Sequence, residues 1–166
     1  MNLQALTGLQ LAVRAGVAAV VSLKIAQLVG LQHPVYAFVA AVIATDLVPS
    51  ESRKLGLRRL VATAIGAVCG AALSLVLPPD PWSIGLSVLI AILGCELLGV
   101  KDGSRVAGFI CGVIVLLHNG DPWEYASHRF METALGVGVA WAISYVPKLI
   151  RVEAPQTSGS EESAPR

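Results

Sequence analysis

The chain has 166 residues, of which 55% are hydrophobic and 14% charged, and its mean hydropathy is +0.70. Soluble domains run at roughly 45–50% apolar and 25% charged, so this chain has too few charges to cover a water-facing surface, and it is too apolar to be disordered outside its tail. Twelve Lys and Arg against eleven Asp and Glu leave a net charge of +1, which excludes nucleic-acid binding through a basic face. An integral membrane protein is expected.

Six apolar stretches lie between polar punctuation, at 8–29, 35–48, 60–77, 83–100, 106–117 and 130–146. The basic run from Arg53 to Arg59 separates the second from the third. Pro78-Pro79-Asp80-Pro81 opens the fourth, the turn Lys101-Asp102-Gly103-Ser104 precedes the fifth, and Pro147 closes the sixth. Backbone groups in lipid must be satisfied within the segment, and no stretch shows the period-two alternation of a barrel strand. The fold class expected is all-α and polytopic, with one six-helix transmembrane domain over 1–150. The polar, Pro- and Ser-rich segment 151–166 is expected to be a disordered cytoplasmic tail. Cys69, Cys95 and Cys111 sit in apolar runs without ligand spacing and are expected to pack as small apolar residues.

Charge sets the expected orientation. With six spans, one side collects Arg53, Lys54, Arg58, Arg59, Lys101, Arg105, Lys148, Arg151 and Arg166, while the other holds Arg129 alone. The side rich in positive charge is the cytoplasmic one, so both termini are expected there. Tyr36, Trp82, Trp123 and Tyr125 then gather at the outer boundary, as an interfacial belt would. No basic segment precedes the first span and no small-residue cleavage site follows it, so a removable signal peptide is not expected.

A repeat runs through the chain at a period of 70: Arg59-x-x-x-Thr63-x-x-Gly66 opens the third span and Arg129-x-x-x-Thr133-x-x-Gly136 the sixth. Phe38-Val39-Ala40-Ala41-Val42 resembles Phe109-Ile110-Cys111-Gly112-Val113 at nearly the same offset. Three spans per unit is an odd number, so the second copy enters the membrane upside down. Inverted repeats of this kind are a mark of transport folds, with the pathway at the repeat interface. The second and fifth spans are short and occupy matched positions. Their N-termini, near Pro34 and Ser104, either offer positive dipole ends to an anion or belong to tilted helices in a small bundle.

Ionisable groups inside a span cost at least ~2.5–3.5 kcal/mol each and need a reason. Arg14 and Lys24 lie about 80° apart around the first helix, so both can face one cavity. By depth, Arg14 is level with Glu96 and Lys24 with Glu132. Two readings follow, and they are compatible. Arg14–Glu96 and Lys24–Glu132 are buried packing pairs, or Arg14, Lys24, Arg59 and Arg129 line an anion route, with Thr63 and Thr133 on the same helix faces as the last two. Glu96 and Glu132 are then counter-charges or proton-coupling groups. His33, His118 and His128 gather at the outer ends of spans and could bind a metal or sense pH. No metal-ligand spacing, nucleotide fingerprint or hydrolase motif accompanies them, so neither a metal site nor a cofactor nor an ATPase nor an enzyme is expected.

Over residues 8–148, Pro34-x-Tyr36-Ala37, Ala40-Ala41-Val42-Ile43, Pro49-Ser50 and the two Arg-x-x-x-Thr-x-x-Gly runs resemble the fusaric acid resistance and aromatic acid exporter family, related to the aluminium-activated malate transporters of plants. The resemblance departs at Ala62-Thr63, where a Gly-Thr pair is usual, and in the lack of the soluble domain or second helical half that many members carry. It implies movement of small organic anions, aromatic carboxylates or dicarboxylates, across a bacterial inner membrane. By position it maps Arg59 and Arg129 onto the repeat motif. By analogy with the paired units of the relatives it also implies a homo-oligomer, a dimer in preference. The alternative from another class is a small non-transporting membrane subunit that scaffolds or regulates a partner.

Overall fold

The computed structural model describes residues 3–117 and 120–146, and no strand occurs among them. In chain order come α1 (Leu3–Val29), α2 (Val35–Ala44), α3 (Pro49–Ser74), α4 (Pro81–Leu97), a single 3-10 turn (Lys101–Gly103), α5 (Ser104–Leu117) and α6 (Pro122–Ser144). The expected all-α class and the six helices are found. The segment 151–166 and His118 lie outside the described residues.

Helix starts differ from the edges of the apolar runs for a physical reason. Hydropathy marks where a helix turns apolar, whereas capping decides where it begins. α3 starts at Pro49, so the basic stretch 53–59 is helix and not loop. α4 and α6 open on the same triplet, Asp80-Pro81-Trp82 and Asp121-Pro122-Trp123. Asp80 accepts from the Ser83 N–H at 2.7 Å and Asp121 from the Trp123 N–H at 2.9 Å. The proline takes a first-turn position where no amide proton is needed. α2 stops at Ala44, earlier than the apolar run to 48, because Thr45 is extended and the Asp46 carboxylate accepts from Val48 N–H at 2.9 Å. Its ten residues rise only ~15 Å, about half of a hydrocarbon core.

Thr7–Val29 and Pro49–Ser74 are each long and apolar enough to cross a membrane, and α2, α4 and α5 are shorter apolar helices. The packing inverts that of a water-soluble domain. Alanines such as Ala40, Ala44, Ala67, Ala71 and Ala140 fill the buried positions, while Leu9, Leu28, Leu93, Leu97 and Phe109 face outward. Small residues inside and large apolar ones outside suit a lipid surround, where close backbone approach drives helix association.

α3 and α6 cross one another at the centre, and each also packs on the middle helix of the other half: α3 on α5, α6 on α2. Glycine makes both seams possible. A Cβ at Gly66 would collide with the Ala107 carbonyl oxygen, and one at Gly136 with the Ala37 carbonyl oxygen. Gly66 and Gly136 are 70 positions apart, and so are Ala37 and Ala107. α1 lies against α2 and α6, α4 against α5 and α3.

Candidate anion-binding cleft

The crossing of α3 and α6 sets two guanidinium groups on one cleft. Arg59 and Arg129 both line it, with Tyr36, Thr133 and the apolar side chains Phe109, Ile110 and Val113. Both arginines are deeply buried, at 8% and 2% exposure. The cleft is narrow: about 10 Å³ is open to the centre of a water molecule, room for one water and not for an aromatic ring. Beyond Arg59 the space widens to a second pocket of about 120 Å³, lined by Leu55, Arg58, Gly103 and Val106 among others. Arg59 is a wall common to both.

Arg129 is enclosed. Its guanidinium carbon stands 3.0 Å from the centroid of the Tyr36 ring and 4.8 Å from that of Tyr125, and Nη2 donates to the Tyr125 hydroxyl. A cation held between two π faces in a desolvated site gains on the order of 1–2 kcal/mol. The His33 ring meets the edges of both tyrosines, at centroid distances of 6.2 and 5.5 Å. Glu132, wholly buried, carries the counter-charge: Oε2 lies 4.0 Å from Arg129 Nη1, and Oε1 accepts from the His33 backbone N–H at 2.7 Å. The pair is loose. Arg129 Nε and Nη1, Arg59 Nε and Glu132 Oε2 make no hydrogen bond, although all are buried. In the connection between α1 and α2, burial first and the Arg129 charge second hold the His33 imidazole below its ordinary range.

Thr133 lines the cleft and donates to the Arg129 carbonyl at 3.0 Å, whereas the equally buried Thr63 hydroxyl has no hydrogen-bond partner. The ion pairing differs from that expected by depth. Glu132 pairs with Arg129 three residues away on its own helix, and Lys24 is exposed on α1. Arg14 donates from Nη2 to the Val146 carbonyl at 2.7 Å, just past the end of α6, where a cation meets a helix C-terminus. Glu96 is exposed and lines a separate polar pocket with Asp102, Ser104 and Arg105. Depth along the membrane normal was a poor guide because it ignores which way each helix face turns. Neither Arg14 nor Lys24 nor Glu96 lines the cleft shared by Arg59 and Arg129.

The aromatic residues divide likewise. Trp82 and Trp123 are exposed at helix starts, but Tyr125 is buried and Tyr36 half-buried around Arg129. Tyr125 was legible as the residue four before Arg129, on the same helix face. Tyr36 and the His33 amide had no such signal, since their approach depends on how α2 packs on α6. His33 and His128 are described, and no cluster of three metal-ligand side chains occurs among the described residues.

Apolar helices packed through small-residue seams around a cleft lined by two buried arginines suit a helical membrane protein. The chain belongs to the aromatic acid exporter family: the family model described as aromatic acid exporter family member 1 matches residues 9–146. Membership places it among membrane transport proteins, as the resemblance of its repeat motifs implied. No curated protein and no solved structure matches the chain.

Proposed function

We propose that the protein moves small organic anions, aromatic carboxylates or dicarboxylates, across a bacterial inner membrane without an ATPase of its own. The observation that carries this reading is the shared cleft: two buried guanidinium groups line one space, no carboxylate lines it with them, and Glu132 beside Arg129 is a single, loosely held counter-charge. A second negative charge is needed to balance them, and an anionic substrate supplies it. Arg59 and Arg129 bind the anion, Thr133 lines its route, and the apolar wall at Phe109, Ile110 and Val113 has to part to admit a ring, since the cleft holds one water as it stands.

The six helices form two inverted repeats, residues of one matching those of the other at an offset of 70. The exchange of seams supports this, since Gly66 packs on Ala107 where Gly136 packs on Ala37. Both termini face the cytoplasm, which sets the Arg59 end inside and the Arg129 end outside. The unit works as a homo-oligomer, a dimer in preference, because one six-helix unit encloses little interior. The narrowness of the cleft is the observation that favours the alternative, a non-transporting subunit.

Flux of benzoate and malate in proteoliposomes decides between them. Anion flux above empty liposomes that falls about tenfold or more in Arg59→Gln, in protein that still assembles, is the expected result. No flux of either anion from a stable wild-type protein overturns it in favour of the subunit.

A further inference from the structure

Beside the Arg129 end of the cleft stands a carboxylate. Glu132 is fully buried, faces the guanidinium, and leaves Oε2 without a hydrogen bond, while Arg129 leaves Nε and Nη1 without one. A structural ion pair at this depth closes its hydrogen bonds, because a buried charge left partly unsatisfied costs several kcal/mol. This pair is held at 4.0 Å, and the carboxylate's hydrogen bond runs elsewhere, to the His33 backbone N–H on the connection between α1 and α2. Arg129 therefore keeps open donors for a second carboxylate, and Glu132 is positioned to give way to it.

We infer that Glu132 is a tethered competitor for Arg129, an internal carboxylate that an incoming organic anion displaces. This rests on the anion-transport reading above and deepens it. Seventy positions earlier stands Ala62, so Arg59 has no such carboxylate on its own helix, and Asp102, which lines the pocket beside it, is paired with Arg58 at 3.0 Å. Glu132 sets the affinity of the site by occupying it, since a site open only part of the time binds more weakly in proportion. Displacement also frees the His33 N–H, the bond by which Glu132 on α6 holds the α1–α2 connection, so arrival of the anion and loosening of that end are one event.

The test is binding of sodium benzoate to purified protein in detergent, read as a dissociation constant by calorimetry and as ligand-induced thermal stabilisation. Glu132→Gln keeps an oxygen for the His33 amide but loses the charge. It is expected to bind benzoate about tenfold more tightly than wild type, with a larger thermal shift at a given concentration. In an Arg129→Gln background the same substitution is expected to leave the benzoate dissociation constant unchanged, an outcome that a merely structural role for Glu132 would not produce. Glu132→Asp, which keeps the charge but retracts it by one methylene, is expected to fall between the two, and it gives the same reading should the glutamine variant fail to assemble. Equal or weaker binding by Glu132→Gln, with wild type that transports, overturns the competitor and leaves transport standing. Absence of binding by every form, with no flux by wild type, overturns both.

Discussion

The two arginines of the repeated motif sit in opposite surroundings. Around Arg129 stand Tyr125, His33, Tyr36 and Glu132. Seventy positions away from each, around Arg59, stand Leu55, Gly103, Val106 and Ala62. Leu55, Gly103 and Val106 line the pocket of about 120 Å³ beside Arg59, and the methyl of Ala62 lies where a Cβ on Gly103 would collide with it. Aromatic rings and a carboxylate fill one end; at the other, aliphatic and small residues leave a pocket open, and the carboxylate that lines it, Asp102, is paired with Arg58. A common motif thus yields one neutralised cation and one available cation. What differs is the second layer of side chains, which the motif does not contain.

Removing each arginine should break this comparison most strongly. Arg129→Gln leaves Glu132 as a buried carboxylate without its counter-charge and is expected to cost ~3–5 kcal/mol of stability, with Arg129→Gln/Glu132→Gln recovering much of it. Arg59→Gln strands no carboxylate and should leave assembly intact. Thermal denaturation in detergent separates them, and equal losses at the two positions would mean that the ends are not different in kind.

A smaller effect of opposite sign is expected at the threonines. Thr133→Val removes the hydrogen bond to the Arg129 carbonyl and should cost ~0.5–1.5 kcal/mol. Thr63→Val removes a buried hydroxyl that has no partner, and should be neutral or stabilising. Denaturation midpoints of the two variants, measured side by side, check the pair.

The smallest effect comes from pH. His33 is packed with Arg129, Glu132, Tyr36 and Tyr125 near it and feels His128, and its imidazole is held below the ordinary range by burial and then by Arg129. A lowered imidazole favours the folded state in full above the unfolded value, and that contribution is lost as pH falls below about 6.5 through the folded one. Stability should therefore decline on mild acidification, and His33→Gln should flatten that part of the profile. An unchanged profile in the variant would dissociate His33 from the Arg129 end.

Much of the scaffold could be read without coordinates. Six apolar runs mark six helices because the lipid-facing residues are numerous and contiguous, and the Arg-x-x-x-Thr-x-x-Gly runs stand out because each lies on one helix face. Helix starts were harder, since Asp80-Pro81 and Asp121-Pro122 carry a capping signal that hydropathy overlooks. The cleft was half legible. Arg59, Arg129 and Thr133 come together from their motif, and Arg129 with Glu132 was available as an i, i+3 pair. Tyr36 and His33 were not, because the packing of α2 on α6 brings them to Arg129. Arg14, Lys24 and Glu96 fall away from the cleft because they stand on α1 and α4, whereas the Gly66 and Gly136 seams bring together α2, α3, α5 and α6, whose side chains line it.

One contact has a particular standing under mutation. Glu132 is tied to the α1–α2 connection through the main-chain amide of His33, not through its side chain. Nineteen of the twenty amino acids supply that amide proton; proline alone does not. Replacing side chains one by one along the connection would pass over this bond without a trace, so the link is protected against drift at position 33 and open to change at position 132. A single proline at 33 would cut it while leaving the carboxylate in place.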